Sequence, residues 1–588
     1  MFGFPAFRGQ QEAAVERVVS GGDALVLMPT GGGKSVCYQV PALCRPGTAV
    51  VVSPLIALMD DQVAALRQLG VAAGALHSEL EPGEGQRIGR ELDAGHLDLL
   101  YVSPERLLTQ GMLDRLQRRR LALIAIDEAH CVSQWGHEFR PEYRMLAELP
   151  VLFPGVPRIA LTATADPRTR ADILAALHMR DAAVFSASFH RPNLLLSAEP
   201  KVGETAQLLA LIARHRNETG IVYCGSRAKT ERVAAKLVEK GLPALVFHAG
   251  LPPEQKREAL TRFRSGEPIV MVATIAFGMG IDRPDVRFVV HLDMPDSPEA
   301  YYQQIGRAGR DGEMSDTLLL HGGEDVARAR HFLAISGVPE AQKAVMRQRL
   351  EAMVQLTETA GCRTHALLAC FGEDLASPCG HCDNCANPVA TFDGTVEAQK
   401  LLSAVYRTGQ RFGALHVIGV LLGEASDVLA KWGHDKLPVF GIGRDRSVDF
   451  WRGVVRQLVA HGALAVESGK FATLSLVSER ARGILRGEER LMLRDEAPKR
   501  RPPREARETG GRAAEAGGPV FDALRAWRSA EAKTQKVPPY VIFHDATLRE
   551  IAELKPRSLV MLGEVKGVGA SKLARYGEAI LSALRGAG

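Results

Sequence analysis

The feature that most constrains this fold is a repeated alternation of short, continuous apolar runs and amphipathic stretches. The clearest runs in the first part of the chain are ALVLM (24–28), AVVVS (49–53), LDLLYV (97–102) and LALIAI (121–126). Each is followed by turn residues and a helical period, which indicates strands buried on both faces of a parallel sheet. The pattern restarts at GIVYC (220–224) and continues to about residue 320. The sequence therefore predicts an α/β protein with two doubly wound parallel-sheet domains in tandem.

Four further segments follow the second α/β pattern. Residues 325–360 have a helical period and lead into a cysteine cluster. Short helical stretches and a hairpin over 463–476, turning at Ser468-Gly469, fit a winged helix. Residues 495–519 are rich in Pro, Gly and charge, which is typical of a flexible linker. We expect boundaries at 1–185 and 186–325 for the two α/β domains, 326–392 for the cysteine-bearing helices, 393–485 for the winged helix, 486–518 for the linker and 519–588 for a terminal helical module.

The composition is that of a multidomain globular protein. The chain has 588 residues, with 73 basic and 68 acidic side chains and a net charge of +5. This length exceeds what one core normally supports, and the small positive charge favours an anionic partner only weakly. The sequence has no apolar run of membrane-spanning length and no signal peptide, so we expect an intracellular protein.

The segment MPTGGGKS (28–35) carries the first chemical signal. Its glycines let backbone N–H groups approach phosphate oxygens, and the helix that follows adds positive potential at its N-terminus. Lys34 would reach the β- and γ-phosphates, and the hydroxyl of Ser35 would bind Mg²⁺. Met28 stands where the general pattern has its first glycine, and a Gly-rich turn alone can be structural. The predicted nucleotide-binding residues here are Thr30, Gly31, Gly32, Gly33, Lys34 and Ser35.

Charged residues further along the chain strengthen this interpretation. Asp127 and Glu128 follow an apolar run, where burial of two carboxylates is costly unless a cation neutralises them. Asp127 suits the Mg²⁺ shell, and Glu128 suits a general base for the attacking water. Arg307 and Arg310, three apart on a predicted helix in the second α/β domain, suit the charge on a transferred phosphoryl group. ATP would then lie between the two domains, whose opening and closing would follow hydrolysis.

The nine cysteines divide into two groups. Those at 37, 44, 131 and 224 are scattered, which favours small buried apolar side chains. In the second group, four cysteines have the spacing C-x16-C-x2-C-x2-C, which predicts a closed, structural zinc site. Cys370 and His381 are rivals for a ligand position. The predicted zinc ligands are Cys362, Cys379, Cys382 and Cys385.

The ordered motifs resemble those of a known family. The chain contains, in order, MPTGGGKS, VVSPLIALMDDQ, YVSPERL, DEAH, LTATA, IVYCGSR, ATIAFGMGIDRP and YYQQIGRAGRDG, and this order is similar to that of superfamily 2 helicases. It resembles the RecQ DNA helicases in particular through FGFPAFRGQQE (2–12), CVSQWGHEFRPEY (131–143), SFHRPNL (188–194) and PCGHCDNC (378–385). The resemblance covers essentially the whole chain. It implies two RecA-like domains, a helical zinc-binding platform, a winged helix and a small all-α HRDC domain.

The resemblance implies roles for the N-terminal motif. Gln11 would hydrogen-bond the edge of adenine and Arg8 would stack or bond nearby. Phe4 stands where the family often has tyrosine, which keeps the stacking and loses the hydroxyl. After the carboxylates, His130 would bond across the cleft towards the second domain.

An aromatic loop lies directly after the paired carboxylates. Trp135 and Phe139 would stack on unpaired bases, and Arg140 would bind phosphate or base. Because the loop is tethered close to Glu128, its ordering on DNA would align the catalytic carboxylate. Burial of Trp135 in the core is the alternative.

Basic residues of the last two segments are candidate DNA contacts. In the winged helix, Lys436, Arg444, Arg446 and Arg452 would bind duplex phosphates or be solvated surface charges. In the terminal module, which resembles an HRDC domain, the candidates for single-strand contacts are Tyr540, Lys566, Lys572 and Arg575, with a solvated helical face as the alternative.

Together these inferences predict an ATP- and Mg²⁺-dependent DNA helicase with a structural Zn²⁺. The resemblance implies 3′→5′ movement on single strands and roles in recombination and repair, in the bacterial cytoplasm at the nucleoid. Expected partners are single-stranded and forked duplex DNA, with a single-stranded-DNA-binding protein as a candidate and no membrane. The alternatives are an RNA helicase or translocase that does not unwind DNA, and a non-catalytic DNA-binding scaffold.

Overall fold

Two parallel β-sheets form the centre of the molecule. The computed structural model describes residues 6–80, 83–133, 140–163, 166–278, 283–467, 473–495, 518–535 and 537–587. Within these ranges one sheet has seven strands and the other six, and two short antiparallel pairs lie further along the chain. The prediction of two tandem α/β domains is confirmed.

The first domain is built on the seven-stranded sheet. Its strands are β1 (Ala24–Leu27), β2 (Thr48–Val52), β3 (Ala73–Leu76), β4 (Leu99–Val102), β5 (Leu121–Ile126), β6 (Arg158–Thr162) and β7 (Ala183–Ser186). They pair in parallel in the order β3-β4-β2-β5-β6-β1-β7. Its helices are α1 (Gln11–Val19), α2 (Val36–Cys44), α3 (Ile56–Gln68), α4 (Glu84–Asp93), α5 (Pro104–Leu107), α6 (Gln110–Gln117), α7 (Pro141–Met145), α8 (Leu149–Leu152) and α9 (Pro167–Ala176), with 3₁₀ turns at Ala129–Val132 and Leu146–Glu148.

The continuous apolar runs form strands because both faces of the sheet are covered. In β1, Leu25 and Leu27 pack into one apolar cluster, and Ala24 and Val26 pack into the cluster on the opposite face. All four residues are buried, so no polar residue alternates with them. Since the strands are parallel, the segments after β1 and β5 emerge at the same edge, which is where open α/β sheets bind ligands.

The second domain repeats this architecture. Its strands are β8 (Leu194–Pro200), β9 (Thr219–Tyr223), β10 (Ala244–Phe247), β11 (Val270–Ala273), β12 (Val286–His291) and β13 (Ser315–His321). They pair in parallel in the order β10-β11-β9-β12-β13-β8. Its helices are α10 (Glu204–Ile212), α11 (Arg227–Glu239), α12 (Pro253–Arg264) and α13 (Pro298–Ile305).

A helical platform and a winged helix follow. The platform contains α14 (Gly323–Ile335), α15 (Glu340–Glu358), α16 (Arg363–Ala369) and α17 (Asp383–Ala386). The winged helix contains β14 (Thr391–Asp393), α18 (Thr395–Arg407), α19 (Ala414–Leu422), α20 (Asp427–Lys431), a 3₁₀ turn (His434–Lys436), α21 (Val448–Ala460), the antiparallel strands β15 (Leu464–Glu467) and β16 (Thr473–Leu476), α22 (Ser478–Leu485) and β17 (Met492–Arg494). The predicted hairpin is present, and its turn at Ser468-Gly469 lies outside the described residues.

The predicted start of the linker at residue 486 is wrong. Residues 492–494 form β17, which pairs antiparallel with β14. Leu491 and Leu493 are 6% and 2% exposed and belong to the winged-helix core. These two leucines hold the segment onto the domain, and the Pro- and Gly-rich part of the predicted linker lies outside the described residues.

The terminal module is helical, as predicted, and it contacts both α/β domains. It contains α23 (Pro519–Gln535), α24 (Pro539–Ile542), α25 (Asp545–Leu554), α26 (Leu559–Gly563) and α27 (Ala570–Ala587). Tyr540 donates a hydrogen bond to Asp61 of α3 at 3.3 Å, and Arg525 donates one to the carbonyl of Gly266 in the second domain at 3.0 Å. Among the helices described, none has the length and apolar character needed to cross a membrane.

Candidate active site and metal centre

The phosphate loop connects β1 to α2 and depends on glycines. Gly31 and Gly33 have φ angles of 80° and 79°, which L side chains rarely adopt. A Cβ on Gly33 would also lie 2.5 Å from Gln11 Nε2. Ser35 immediately precedes the first residue of α2. The loop therefore runs directly into a helix N-terminus, which is a favourable position for a phosphate group.

Lys34 lies over this loop. Its Nζ donates hydrogen bonds to the carbonyl oxygens of Met28 at 3.1 Å and Pro29 at 3.4 Å. Burial lowers the pKa of the ammonium, although Glu128 and Asp127 act in the opposite direction. Met28, which replaces the first glycine of the general pattern, thus provides a backbone carbonyl that accepts a hydrogen bond from Lys34. Neutral carbonyls hold the charge, and an anionic phosphate would be a stronger partner.

Asp127 and Glu128 follow β5 at the same edge of the sheet. Burial and the neighbouring Glu128 raise the pKa of Asp127 to about 7, against the effect of Lys34. Glu128 has a φ of 49°, in the left-handed region, and its amide donates to Asp127 Oδ1 at 3.0 Å. Glu128 Oε2 is buried, and within the described ranges it accepts no hydrogen bond; it lies 3.3 Å from His130 Nδ1. Two adjacent, largely buried carboxylates with an oxygen that accepts no hydrogen bond from the described residues fit a divalent cation.

Two contacts of His130 lie within the first domain, and its bond across the cleft stays a prediction. Its Nδ1 lies 2.9 Å from Thr162 Oγ1, at the end of β6. The hydrogen bond therefore joins two strand ends of the first domain, because β5 and β6 are adjacent in the sheet.

Arg307 and Arg310 follow α13 and do not lie within it. The helix ends at Ile305, and Gly309 has a φ of 56°. A Cβ at this glycine would lie 2.4 Å from Asn193 Nδ2. The prediction of a helix carrying both arginines is wrong, because the helix ends two residues before Arg307.

Both arginines nevertheless approach the nucleotide-binding elements of the first domain. Arg310 Cγ lies 3.6 Å from the position that a Cβ of Gly31 would take. Arg307 is 6% exposed. Burial lowers its pKa, and the Tyr223 hydroxyl and the Glu128 carboxylate oppose that shift. The structure thus gathers all five predicted catalytic residues around the cleft between the two domains.

The N-terminal motif packs against the phosphate loop. Gln11 Nε2 donates hydrogen bonds to the carbonyls of Gly32 and Gly33, each at 3.1 Å, and Gln11 Oε1 accepts one from the amide of Arg8 at 2.9 Å. The side chain predicted to bind adenine therefore braces the loop in this structure. Arg8 is exposed, and Phe4 lies outside the described residues.

The ends of the aromatic loop are hydrogen-bonded to α9 and to the segment that follows Glu128. Ser133 Oγ donates to Asp172 Oδ2 at 2.6 Å, and the amide of Arg140 donates to the carbonyl of Cys131 at 2.9 Å. Trp135 and Phe139 lie outside the described residues. The loop thus leaves and rejoins the protein close to the catalytic carboxylates.

The four predicted cysteines lie together. Their sulfur atoms are all within 4.8 Å of one another, and Cys379 Sγ is 3.9 Å from Cys385 Sγ. Zinc–sulfur bonds of about 2.3 Å in a tetrahedron place sulfur atoms about 3.8 Å apart. Backbone amides of residues 365 and 379 point at Cys362 Sγ, at 3.4 and 3.3 Å, so the cluster fits Zn²⁺.

The two rival ligands are engaged elsewhere. Cys370 Sγ donates to the carbonyl of Ala366 at 3.4 Å, and His381 Nδ1 lies 2.6 Å from the carbonyl of Cys379. Neither belongs to the group of four sulfur atoms. The donor set is therefore four thiolates, which suits a closed structural site.

Two of the candidate DNA-binding arginines of the winged helix form ion pairs within the protein. Arg446 pairs with Glu397 at 3.1 Å and lies over the Phe450 ring, and Arg452 pairs with Asp449 at 3.1 Å. Both ion pairs are partly exposed, so they contribute little to stability and can be exchanged for phosphate contacts.

In the terminal module, only one of the four candidates keeps an exposed side chain without a described contact. Lys572 donates to the carbonyls of Val541 and Ile542, and burial lowers its pKa to about 8. Arg575 donates to Gln68 Oε1 at 3.0 Å, and Tyr540 contacts the first domain as described above. Lys566 is exposed. Three of the four therefore contact the first domain or the module's own core, and their binding of single-stranded DNA stays a prediction.

A groove at the carboxyl ends of β3 and β4 was missed by sequence analysis. It has a volume of about 990 Å³, and its lining includes His77, Ser103, Arg106 and Arg115. The signal was present in YVSPERL (101–107), where a hydroxyl and an arginine follow a strand end.

The fold and the cleft define a class of protein. Two RecA-like domains that share a phosphate-binding site, followed by a winged helix, form a nucleotide-driven nucleic-acid motor of the helicase class. Family models match in the same order along the chain. Residues 8–173 match the DEAD/DEAH box helicase model, 203–312 the helicase conserved C-terminal domain, 323–386 the RecQ zinc-binding model, 388–502 the RQC domain and 518–584 the HRDC domain.

Individual relatives specify the family. The chain is 40% identical to the ATP-dependent DNA helicase RecQ of Haemophilus influenzae, over 100% of this chain and 94% of that protein. It is 37% identical to the protein of the same name from Bacillus subtilis, over 99% of this chain and 97% of that protein. The RecQ-like DNA helicase blm-1 of Caenorhabditis elegans is 37% identical over 78% of this chain and 49% of that protein. The chain belongs to the RecQ family of ATP-dependent DNA helicases.

Proposed function

We propose that the chain hydrolyses ATP with Mg²⁺ between its RecA-like domains and uses this reaction to move along single-stranded DNA and unwind duplexes. The observation that carries the proposal is the approach of Arg310, from the second domain, to Gly31 in the phosphate loop of the first. A site completed by two domains changes when they move, which is what a motor requires. The 3′→5′ direction, and action in repair and recombination at the bacterial nucleoid, belong to the proposal and rest on the family.

The phosphate-binding roles follow from the cleft geometry. Lys34 leaves the carbonyls of Met28 and Pro29 for the β- and γ-phosphates, and the amides of residues 30–33 contact phosphate oxygens. Asp127 and Ser35 would hold Mg²⁺. The bound cation would neutralise phosphate charge and orient the γ-phosphoryl group.

The remaining charged residues act on the transferred group. Glu128 accepts a proton from the attacking water through its buried Oε2, which accepts no hydrogen bond within the described ranges and lies 3.3 Å from His130 Nδ1. Arg307 and Arg310 stabilise the charge that spreads over the γ-phosphoryl oxygens. Because both arginines come from the second domain, hydrolysis is fastest when the domains close.

Adenine recognition and DNA sensing complete the proposed cycle. Phe4, Arg8 and Gln11 bind the base, which requires Gln11 to exchange a loop carbonyl for the adenine edge. Trp135, Phe139 and Arg140 contact unpaired DNA. Since the loop ends next to Glu128, DNA binding would align the carboxylate for hydrolysis.

We further propose that single-stranded DNA crosses the groove lined by Ser103 and Arg106, with phosphates near Arg115. Binding should then weaken steeply as salt rises, because condensed counterions are released from the DNA. A single-stranded-DNA-binding protein is a proposed partner that would share this substrate.

Hydrolysis and unwinding by the full chain test the proposal. ATPase activity is measured with and without single-stranded DNA, and strand separation with 3′-tailed, 5′-tailed and forked duplexes. We expect DNA-stimulated hydrolysis and preference for the 3′ tail, with Glu128→Gln reducing hydrolysis at least about 100-fold while ATP still binds. A wild type no more active than Glu128→Gln would support the scaffold alternative. Stimulation by RNA alone would support an RNA helicase. Hydrolysis without strand separation would support a translocase that does not unwind DNA.

A further inference from the structure

We propose that Arg191 is a positioning residue that fixes the distance between the phosphate loop and the arginine-bearing loop during ATP hydrolysis. The inference rests on the proposed function of the cleft. Arg191 lies in SFHRPNL (188–194), on the connection between the two RecA-like domains, after β7 and before β8.

The guanidinium of Arg191 binds carbonyl oxygens from both domains. Its Nη1 donates to Thr30 in the phosphate loop at 3.0 Å and to Gly306 at 3.3 Å. Its Nη2 donates to Ala308 at 2.9 Å and to Gly309 at 2.8 Å. One side chain therefore joins the residue before the phosphate-binding glycines to the segment that contains Arg307.

The chemistry of arginine suits this position. The guanidinium is planar and offers several donors at fixed angles, so it can bind four carbonyls at once. A lysine ammonium is a single point charge on a flexible chain and cannot span both loops. The acceptors found for Arg191 in the described part of the chain are neutral carbonyls, so its bonds set geometry more than they neutralise charge.

The connection that carries Arg191 is itself held in place. The Phe189 ring packs at 6.0 Å from the Tyr302 ring of α13 and 5.4 Å from the Phe371 ring of the platform. The Tyr302 hydroxyl donates to the carbonyl of Phe189 at 2.7 Å, and the Phe189 amide donates to Glu373 at 2.7 Å. The guanidinium therefore extends from a fixed point, and displacement of either loop must break hydrogen bonds to it.

Asn193 provides a matched comparison. Its Nδ2 donates to the carbonyl of Gly309 at 2.8 Å and of Glu313 at 3.0 Å. Both acceptors belong to the second domain. Asn193 thus supports the arginine-bearing loop and makes no described side-chain bond to the phosphate loop. A substitution at Asn193 therefore distinguishes the loss of support for one loop from the loss of the link between the two loops.

The kinetic test uses the full-length chain with saturating single-stranded DNA. We expect Arg191→Ala to lower kcat at least about tenfold, because misplacement of reacting groups by about 1 Å can cost up to about 100-fold. The KM for ATP should change less than about threefold, since the groups that bind the ground state remain. Arg191→Lys should lower kcat as much as Arg191→Ala does. The fold-decrease in kcat caused by Asn193→Ala should be less than about a third of the fold-decrease in either arginine variant.

Hydrogen exchange of the nucleotide-free protein gives a second readout that does not require activity. Arg191→Ala should accelerate amide exchange in both residues 30–36 and 306–312. Asn193→Ala should accelerate it only in 306–312. If Arg191→Ala proves unfolded, Arg191→Lys serves for both measurements.

Three results would overturn the proposal. These are wild-type kcat in Arg191→Lys, equal losses in the arginine and asparagine variants, or unchanged exchange in 30–36 when Arg191 is replaced. A wild type without DNA-stimulated hydrolysis would overturn the proposed function instead, and the exchange comparison would still decide whether Arg191 couples the loops.

Discussion

The cysteine cluster and the nucleotide cleft are two sites built in opposite ways. The cluster takes its four donors from residues 362–385, and each backbone amide that contacts a sulfur comes from the same short segment. Its four sulfur atoms already lie within 4.8 Å of one another. A local set of turns is therefore enough to build it.

The cleft gathers residues that are far apart in the chain. Lys34 binds carbonyls of its own loop, and a buried oxygen of Glu128 accepts no hydrogen bond from the described residues. Arg307 and Arg310 reach it only through the packing of a second domain. The comparison shows that a structural site can be complete without its partner domain, whereas a motor site stays incomplete until its ligand and the domains come together.

Lys34→Ala is the strongest test of whether the cleft and the cysteine cluster are independent sites. We expect DNA-stimulated ATPase to fall at least about 100-fold, because a phosphate-binding charge is lost where water is largely excluded. Zinc content, measured by mass spectrometry, should stay at the wild-type value. Lys240→Ala, which removes an exposed lysine after α11, is the control for loss of a positive charge. Loss of zinc in Lys34→Ala would contradict the independence of the two sites.

The same comparison explains how much could be predicted from the sequence. The strand β5 coincides with the apolar run LALIAI (121–126), because a run covered on both faces is decided by its own residues. The cysteine spacing identified all four members of the cluster for a similar reason, since short loops bring the ligands together. The phosphate loop was found despite Met28, because its remaining glycines and lysine are contiguous.

Features decided by distant contacts were not predictable. The strand β17 exists because β14, about a hundred residues earlier, offers it a partner. The turn at Gly309 accepts a hydrogen bond from Asn193, which lies 116 residues earlier in the chain. The sequence around Arg191 indicated family membership but not the proposed role of this arginine, because that role depends on two loops that only the fold brings together.

Removing one zinc ligand tests the cysteine cluster in the same way. Cys382 is fully buried within the cluster, and Cys382→Ser should lose bound zinc and lower the thermal midpoint of the platform, because structural zinc contributes on the order of 10 kcal/mol to folding. Cys370→Ser, outside the cluster, is the matched control and should retain zinc. Zinc retained in Cys382→Ser, or zinc lost in Cys370→Ser, would contradict the assignment of these four cysteines as the ligands.

Mild acid should weaken the second domain beside the cleft. His291 in β12 lies 2.7 Å from Gln304 in α13, and burial lowers its pKa from 6.5 to about 4. Between these values the unfolded chain binds a proton that the folded chain excludes, so stability is complete above pH 6.5 and falls as pH decreases. At pH 5 the expected loss is about 2 kcal/mol.

Amide exchange of β12, corrected for the intrinsic rate at each pH, measures this loss. His291→Asn should reduce the difference between pH 7.5 and pH 5, and the exposed His331→Asn should not. The reduction will be partial, because burial lowers the pKa of His321 in the same domain as well. An unchanged difference in His291→Asn would rule out this histidine as the source.

The smallest expected effect concerns the contact between the terminal module and the first domain. Gln68 in α3 donates to Gln535 at 2.7 Å and accepts from the Tyr576 hydroxyl at 2.6 Å and from Arg575 at 3.0 Å. Gln68→Ala removes these bonds and should weaken docking by about 1 kcal/mol, or about fivefold in the docking equilibrium. Faster amide exchange in residues 571–576 would show it, with the exposed Gln117→Ala as the control.

Release of the module also tests its predicted DNA contacts. Arg575 and Tyr540 cannot bind α3 and a DNA strand at the same time, so docking competes with any single-strand binding through these side chains. If they do contact DNA, Gln68→Ala should raise affinity for single-stranded DNA by up to about fivefold, and adding Tyr540→Ala should cancel the gain. Faster exchange without tighter binding would show that this face serves only as a contact between domains.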